Sequence, residues 1–162
     1  MYFVANLDNE KDYKKYISMG FDAVTPSMQS RTDASLKHSK IVSDVLQLRR
    51  RFWPSPVKND YRYVCRHLWD DSMDYNEDVI PFIIPRWDHT ARSGTKGRVF
   101  VGVTPALFGQ QAKRTLQNVA KKRNQIVMLK SWNEWAEGNY MEPDLKYGMG
   151  FIEALRKVKD EK

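Results

Sequence analysis

The sequence has 162 residues, of which 41% are hydrophobic and 29% are charged, a composition typical of one folded globular domain. No apolar run approaches the roughly 20 residues that a transmembrane helix needs, and the chain does not open on a signal-peptide pattern. Cys65 is the only cysteine, which excludes an internal disulfide and a cysteine-rich zinc site. The net charge of +7 comes mostly from short basic clusters on helix-like segments, which favours solvated helix faces over nucleic-acid binding. We therefore expect a cytoplasmic protein without a metal, a cofactor, a nucleic-acid partner or a membrane span.

The chain alternates between predicted strands and predicted helices. The four predicted strands are short and apolar, in chain order Tyr2–Ala5, Asp22–Thr25, Val79–Ile84 and Gln125–Leu129. The segments that follow them have helix caps or helical spacing. In chain order they are 8–19 with its stop at Gly20, the stretch with Ile41, Val45 and Leu48, the helix that Pro105 opens, with Phe108, Ala112, Leu116 and Val119 in one stripe, and a last helix with Phe151, Ile152, Leu155 and Val158 on one face. An irregular connection, Arg51–Asn59, and a further helix, Tyr61–Leu68, lie between the second and third strands, and a glycine-containing loop precedes Pro105.

This alternation predicts the fold class. The sequence shows no hairpin signal between the strands, and strand–helix repetition with near-continuous apolar strands is typical of a parallel sheet covered by helices. We therefore expect one α/β domain over residues 1–162, with about four βα units and no internal boundary.

Polar and aromatic residues follow each predicted strand directly. They are Asn6, Ser27, Arg86 to Asp88, and Trp132 to Glu134. Active sites of α/β folds are built at the carboxyl ends of the strands, whereas a purely structural loop there needs turn-forming residues rather than tryptophans beside carboxylates. The sequence therefore predicts a functional site at this end of the sheet.

The segment Trp132–Gly138, WNEWAEG, is the richest in chemistry. Glu134 and Glu137 can present two carboxyl groups to one pocket, as glycoside hydrolysis requires. Trp132 and Trp135 offer flat apolar faces for sugar rings, and Asn133 can hydrogen-bond a hydroxyl, while Gly138 permits a tight turn. The alternative interpretation is structural, because glutamates three residues apart in a first helical turn often serve the helix dipole, and tryptophans often belong to a core.

Weaker candidates lie around the third strand and after the motif. Trp87 and Asp88 are candidates for sugar binding, and Arg92 could orient a carboxylate or bind an acidic sugar. An Asp88–Arg92 salt bridge that braces the loop is the alternative. Tyr140 and Glu142 are candidates for the rim of the cleft.

The run SWNEWAEGNYMEPD (Ser131–Asp144), followed by KYGMGFIEAL, resembles the C-terminal signature of the WbsX-type family, which is often labelled glycosyltransferase. That family is similar to glycoside hydrolase family 99, the endo-α-mannosidases and endomannanases. Three further segments match in order: GFDAV at Gly20–Val24, PRWDHTAR at Pro85–Arg92 and TPALF at Thr104–Phe108.

The resemblance implies the C-terminal half of a (β/α)₈ barrel, with the N-terminal half missing. By the same resemblance, Glu134 deprotonates the 2-hydroxyl of a sugar, which attacks the anomeric carbon to give a 1,2-anhydro sugar with net retention. Glu137 then corresponds to the general acid/base that protonates the leaving oxygen and later activates water.

The resemblance leaves two other functions open. One is a glycosyltransferase in polysaccharide or O-antigen assembly, although the sequence has no glycine-rich phosphate loop and no Asp-x-Asp motif. The other is a non-catalytic sugar-binding fragment. In each case the expected partner is an oligo- or polysaccharide. A half-barrel would leave unpaired strand edges, so we also expect self-association or a need for the missing half.

Overall fold

A computed structural model describes residues 1–32, 45, 48, 49 and 51–161 of the chain. Ile41, expected on a helix, lies outside the described residues. Val45 and Leu48 of the same predicted stripe are described and are solvent-exposed. No helix within the described part of the chain is long and apolar enough to cross a membrane.

The strands are short. In chain order they are β1 (Val4–Asn6), β2 (Ala23–Thr25), β3 (Val57–Asp60), β4 (Phe82–Ile83), β5 (Arg98–Val101), β6 (Met128–Leu129), β7 (Asn133–Glu134) and β8 (Asn139–Tyr140). The helices, in the same order, are α1 (Tyr13–Ser18), α2 (Met28–Thr32), α3 (Tyr61–His67), α4 (Asp71–Asp74), α5 (Thr90–Ser93), α6 (Pro105–Val119) and α7 (Gly150–Asp160).

Three parallel strand pairs form the architecture. β1 pairs with β2, β3 with β5, and β4 with β6. A parallel bridge between Val24 of β2 and Val79, just before β4, connects the first pair to the third. The four strands predicted from the sequence therefore lie side by side in chain order, β1–β2–β4–β6, which confirms a mixed α/β fold with parallel strands.

Two connections predicted as irregular contain strands. The end of Arg51–Asn59 contributes to β3, and the glycine-containing loop before Pro105 contains β5. Their pairing places Val57 opposite Arg98 and Asp60 opposite Val101. β5 is the sequence RVFV, in which β-branched and aromatic residues favour a pleated strand. The interpretation of these two segments as loops is therefore wrong.

The two longest helices pack against the sheet and against each other. The stripe predicted on α6 is confirmed, because Phe108, Ala112 and Val119 are buried. Phe151 of α7 is also buried, and its ring lies 5.7 Å from that of Phe108. Thr104 caps α6 by accepting a hydrogen bond from the Leu107 amide at 3.2 Å, and Pro105 follows it as the first helical residue.

A buried polar cluster, Arg31, Asp74 and Lys122 with Glu10 at its edge, joins the end of α2 to the chain that leads into β4. The Arg31 guanidinium donates to both carboxylate oxygens of Asp74, at 2.8 and 3.3 Å, and also contacts Glu10. Lys122 donates to the carbonyls of Asp74 and Val79 at 2.8 and 2.6 Å. Burial lowers the pKa of Lys122. Each charge in this cluster therefore has a partner.

Candidate active site

The WNEWAEG motif folds as a small hairpin. β7 and β8 pair antiparallel, with Glu134 opposite Asn139, and a 3₁₀ turn over Trp135–Glu137 connects them. Gly138 closes the turn at φ +52°, a left-handed conformation that favours glycine. The alternative that Glu134 and Glu137 begin an α-helix and serve its dipole is therefore wrong.

Glu137 lies among three side chains from the loop that follows β4. Arg92 donates to Glu137 Oε1 at 2.7 Å, and the Trp87 indole donates to Oε2 at 3.3 Å. The His89 Nε2 atom is 3.5 Å from Oε1. The Glu137 side chain keeps 25% of its surface exposed, so this anchored carboxylate remains accessible to a ligand.

Asp88 has a different role from the salt bridge that we considered. Its Oδ1 atom accepts hydrogen bonds from the Thr90 amide at 2.9 Å and the Thr90 hydroxyl at 2.5 Å. Its own amide donates to the Glu137 carbonyl at 2.8 Å. A Cβ atom on Gly138 would lie only 3.0 Å from the Asp88 Cβ. The Asp88–Arg92 bridge is therefore wrong: Asp88 fixes the loop against the hairpin, and Arg92 binds Glu137.

Glu134 is half-buried and contrasts with Glu137. Among the residues that the structure describes, none forms a hydrogen bond or ion pair with the Glu134 carboxylate. Asn133, its neighbour on β7, is exposed and pairs through its backbone with Tyr140. The hairpin therefore carries one anchored carboxylate and one that is free to bind a ligand.

Trp132 lines a cavity of about 320 Å³ at the carboxyl ends of the parallel strands. Half of its side-chain surface is exposed, at 50%. Asn6 at the end of β1 and Thr25 at the end of β2 line the same cavity, together with Phe82, Met128 and the residues that follow β6. The strand ends therefore do form a pocket beside the motif.

Trp135 and Tyr140 form a stacked pair on the hairpin. Their rings lie 3.7 Å apart and 15° from parallel, and Trp135 remains 48% exposed. Glu142 accepts a hydrogen bond from the Trp135 indole at 2.5 Å, which fixes the ring. This pair presents a flat aromatic face to solvent, and Glu142 orients it.

Trp87 and Asp88 line a second cavity, of about 540 Å³, on the other side of Gly138. Tyr140 and Lys146 also line it. Of the side chains expected in one cleft, Trp87 and Asp88 line this cavity and Trp132 lines the other. Asn133, Glu134 and Glu137 line neither of these two cavities.

Arg86 packs against the hairpin. It was not predicted individually as a site residue. Its guanidinium contacts the Asp144 carboxylate and lies 4.2 Å from the Tyr140 ring centroid and 4.0 Å from that of Phe151. Burial raises the pKa of Asp144, but hydrogen bonds from the Tyr147 amide and Arg86 outweigh it, so the net pKa is lowered.

His89 is a second residue that sequence reasoning missed as a contact of Glu137. It lies two residues after Trp87, and both side chains approach the same carboxylate. Arg86 and Asp144 are separated by 58 residues, so no local pattern could have paired them. Within residues 1–32, 45, 48, 49 and 51–161, no group of three or more His, Cys, Asp or Glu side chains could hold a metal ion.

Comparisons with known proteins identify the family of the chain and support its fold. A solved structure described as a glycoside hydrolase-like protein shares the fold with a TM-score of 0.52 and 16% identity, over 85% of this chain and 37% of that one. Two proteins from strains of Xanthomonas campestris pv. campestris, each named Uncharacterized protein WxcX, are 31% identical over 103 residues. The match spans 61% of this chain but only 14% of each relative. A family model described as Glycosyltransferase WbsX matches residues 1–155, so the chain belongs to the WbsX glycosyltransferase family.

Proposed function

We propose that this chain carries the catalytic carboxylates of a carbohydrate-active enzyme that cleaves or transfers glycosidic linkages. The observation that carries the proposal is the hairpin, on which Glu137 is anchored by Trp87 and Arg92 while Glu134 has no partner among the described residues. Membership of the WbsX family and the shared fold of a glycoside hydrolase-like protein support the same class of chemistry.

The roles follow the resemblance to glycoside hydrolase family 99. Glu134 takes the proton from the sugar 2-hydroxyl, and the resulting oxygen attacks the anomeric carbon to form a 1,2-anhydro sugar. Glu137 gives a proton to the leaving oxygen and later removes one from the attacking water, which opens the anhydro ring with net retention. This mechanism is compatible with an unpartnered Glu134, because a general base must reach the substrate hydroxyl directly.

Arg92 adds a requirement to the role of Glu137. The Arg92 guanidinium lies 2.7 Å from Glu137 Oε1, so it occupies one of the two oxygens through which a general acid/base must reach the substrate. We therefore expect substrate binding to draw Arg92 away from Glu137. The Arg92 side chain is 58% exposed, which leaves it free to move.

Two aromatic surfaces suit the substrate. The stacked Trp135–Tyr140 pair and the exposed face of Trp132 offer the apolar platforms on which the C–H faces of sugar rings pack. Asn133 is exposed beside them and can hydrogen-bond a hydroxyl. An oligo- or polysaccharide is therefore the proposed substrate class.

The test replaces each carboxylate by its amide in the intact protein. We expect Glu134→Gln and Glu137→Gln each to lower turnover of an oligosaccharide by about 10²-fold to 10⁴-fold, since each variant loses an acid or base. An activated aryl leaving group should partly rescue Glu137→Gln but not Glu134→Gln. Glu153→Gln, an exposed position on α7, is the matched control and should keep full activity. Equal rescue of both variants would contradict the assigned roles.

A glycosyltransferase is the second candidate, because that is the family's description. Hydrolysis and transfer differ in the acceptor, which is water in one case and a sugar hydroxyl in the other. Product analysis in ¹⁸O-labelled water with an added sugar acceptor separates them. Incorporation of ¹⁸O at the anomeric position identifies a hydrolase, and an extended oligosaccharide without label identifies a transferase. Sugar binding without either product would favour a non-catalytic module.

We also infer that the row β1–β2–β4–β6 is part of a (β/α)₈ barrel whose remaining strands lie outside this chain. The parallel pairing in chain order supports this, as does the match to only 37% of the glycoside hydrolase-like neighbour. Among the described strands, β1 and β6 each pair on one side only. We therefore expect the isolated chain to self-associate. A monodisperse 19.1 kDa monomer in light scattering, with a sharp two-state unfolding transition, would contradict this.

A further inference from the structure

A basic cavity lies between α3 and α6, and it shares no lining residue with the two cavities at the hairpin. Its volume is about 330 Å³. Its lining residues come from these two helices alone and are Arg62, Cys65, Arg66, Leu107, Gln110, Gln111 and Arg114. We call it the arginine cavity.

The three arginines of the arginine cavity carry charge that no described carboxylate neutralises. Among the described residues, no carboxylate forms an ion pair with Arg62, Arg66 or Arg114. Arg62 and Arg66 are one helical turn apart, a spacing at which like charges destabilise a helix. Arg114 donates to the Arg66 carbonyl at 2.7 Å, so the second helix brings its guanidinium to the first.

The nearby acidic group does not cancel this charge. The Asp60 carboxylate caps α3 by accepting from the Arg62 amide at 2.8 Å, and it forms no ion pair with the three guanidinium groups. Lys113, beside Arg114 on α6, is instead paired with Glu161 at 2.8 Å. Lys113 therefore adds no unpaired charge beside the arginine cavity.

We propose that the arginine cavity binds a phosphate group, as a phosphomonoester or a pyrophosphate. Guanidinium groups match the oxygens of phosphate in paired hydrogen bonds, and three of them suit a dianion better than a single carboxylate. Gln110 adds an amide that can donate to a further oxygen. A concave site of this size favours one compact anionic group over the extended backbone of a nucleic acid. The inference is independent of the proposed glycosidic chemistry, so failure of either leaves the other standing.

The phosphate can belong to a soluble molecule or to a lipid headgroup, and one experiment separates these sources. Binding of pyrophosphate and of inorganic phosphate to the chain is measured by titration calorimetry. Co-sedimentation is measured with phosphatidylcholine vesicles that do or do not contain phosphatidic acid. Binding of pyrophosphate or inorganic phosphate in calorimetry assigns a soluble source. Binding only to vesicles that contain phosphatidic acid assigns a lipid source.

The variants are Arg62→Gln and Arg66→Gln, with Arg123→Gln as the control. Each arginine should account for about a tenfold change in affinity, because a lost hydrogen bond between charged groups is of that order. The Arg62 side chain forms no hydrogen bond or ion pair with the described residues and is exposed, so this variant should fold normally. Arg123 is 91% exposed, and its replacement by glutamine removes the same charge outside the arginine cavity. No binding to either probe, or equal weakening by Arg123→Gln, overturns the proposal.

The alkylation rate of Cys65 reports whether the anion binds in the arginine cavity. Cys65 lines the arginine cavity, and burial raises the pKa of its thiol to about 11, so its reaction with neutral iodoacetamide is slow enough to follow by mass spectrometry. Bound pyrophosphate should slow this reaction severalfold in the unchanged protein and not in Arg62→Gln. Binding with no effect on Cys65 would place the anion elsewhere and would also overturn the proposal.

Discussion

The buried polar cluster and the WNEWAEG hairpin use the same kinds of side chain in opposite ways. Arg31 and Asp74 are 4% and 1% exposed, and each has several partners. Glu137 and Arg92 are 25% and 58% exposed, and Glu134 has no partner among the described residues. Arg31 lies on the helix that follows β2, and the hairpin follows β6, so position after a parallel strand does not by itself identify a site.

The difference lies in how completely the charges are satisfied. A buried ion pair is dominated by desolvation, so it persists only where each polar atom has a partner, and such a cluster has nothing left to bind a ligand. An exposed carboxylate with a single anchoring arginine contributes little to stability but can contact substrate. The comparison predicts that the buried cluster controls stability and that the hairpin controls activity.

The largest expected effect comes from breaking the buried cluster. Arg31→Met leaves Asp74 buried without its cation and should lower the free energy of unfolding by about 3–5 kcal/mol. The double variant Arg31→Met/Asp74→Leu removes both charges and should recover much of that loss. Urea unfolding of the two variants and of Glu137→Gln checks the comparison. Glu137→Gln should have almost the same free energy of unfolding as the original protein. An equally large loss of unfolding free energy for Glu137→Gln would contradict the distinction between the buried cluster and the hairpin.

The Arg86–Asp144 pair lies between the two extremes and should show a pH dependence. The folded pKa of Asp144 is below its ordinary value of 3.8, so the pair stabilises the fold above that pH. This contribution is lost as the pH falls below 3.8 through the folded pKa. Asp144→Asn should therefore be less stable at pH 7 by about 1.5–3 kcal/mol and should differ little from the original protein at low pH.

Paired unfolding curves at pH 7 and at pH 2 to 3 test this, with Asp160→Asn as the control. Asp160 pairs with Arg156 at 3.6 Å on the exposed face of α7. A pH-independent difference between the original protein and Asp144→Asn would mean that packing, rather than charge, connects Arg86 to Asp144.

The smallest of these effects is expected at Gly138 and tests how the hairpin turn packs against Asp88. Gly138→Ala should cost about 1–3 kcal/mol, because alanine is disfavoured at positive φ and its Cβ would crowd Asp88. Gly148 has φ +51° and nothing within 4 Å of an added Cβ, so Gly148→Ala isolates the backbone effect. Thermal unfolding should show a larger loss for Gly138→Ala, and only this variant should lose activity. Equal losses would mean that the contact with Asp88 is unimportant.

The elements that the sequence predicted well are those with a strong local signal. Pro105 marks the start of α6 as expected, and Gly20 ends the first helical region at φ +95°. The row of four parallel strands follows from apolar segments separated by helices. The observed strands are shorter than the predicted ones. β4, for example, contains only Phe82–Ile83 of the predicted segment Val79–Ile84.

The elements that the sequence did not predict depend on distant partners. β3 and β5 stabilise each other by pairing, and β3 begins directly after Pro54 and Pro56, which indicate an irregular connection. The hairpin of the motif was missed because its turn contains Trp135 to Glu137 rather than turn-forming residues. At the candidate site, residue type led to the proposal of Glu134, Glu137 and Arg92. The partner of Arg92 could not be predicted from the sequence, because it depends on the tertiary fold.

The parallel pairing has a consequence for how fast the protein folds. Parallel partners cannot meet across a tight turn, so Phe82 must find Met128 and Val57 must find Arg98 only after the intervening chain has been closed into a loop. Chains rich in such distant pairings fold slowly. The hairpin contacts the loop after β4 through Trp87 and follows β6, so we expect Glu134 and Glu137 to reach their native positions only after β4 and β6 have paired.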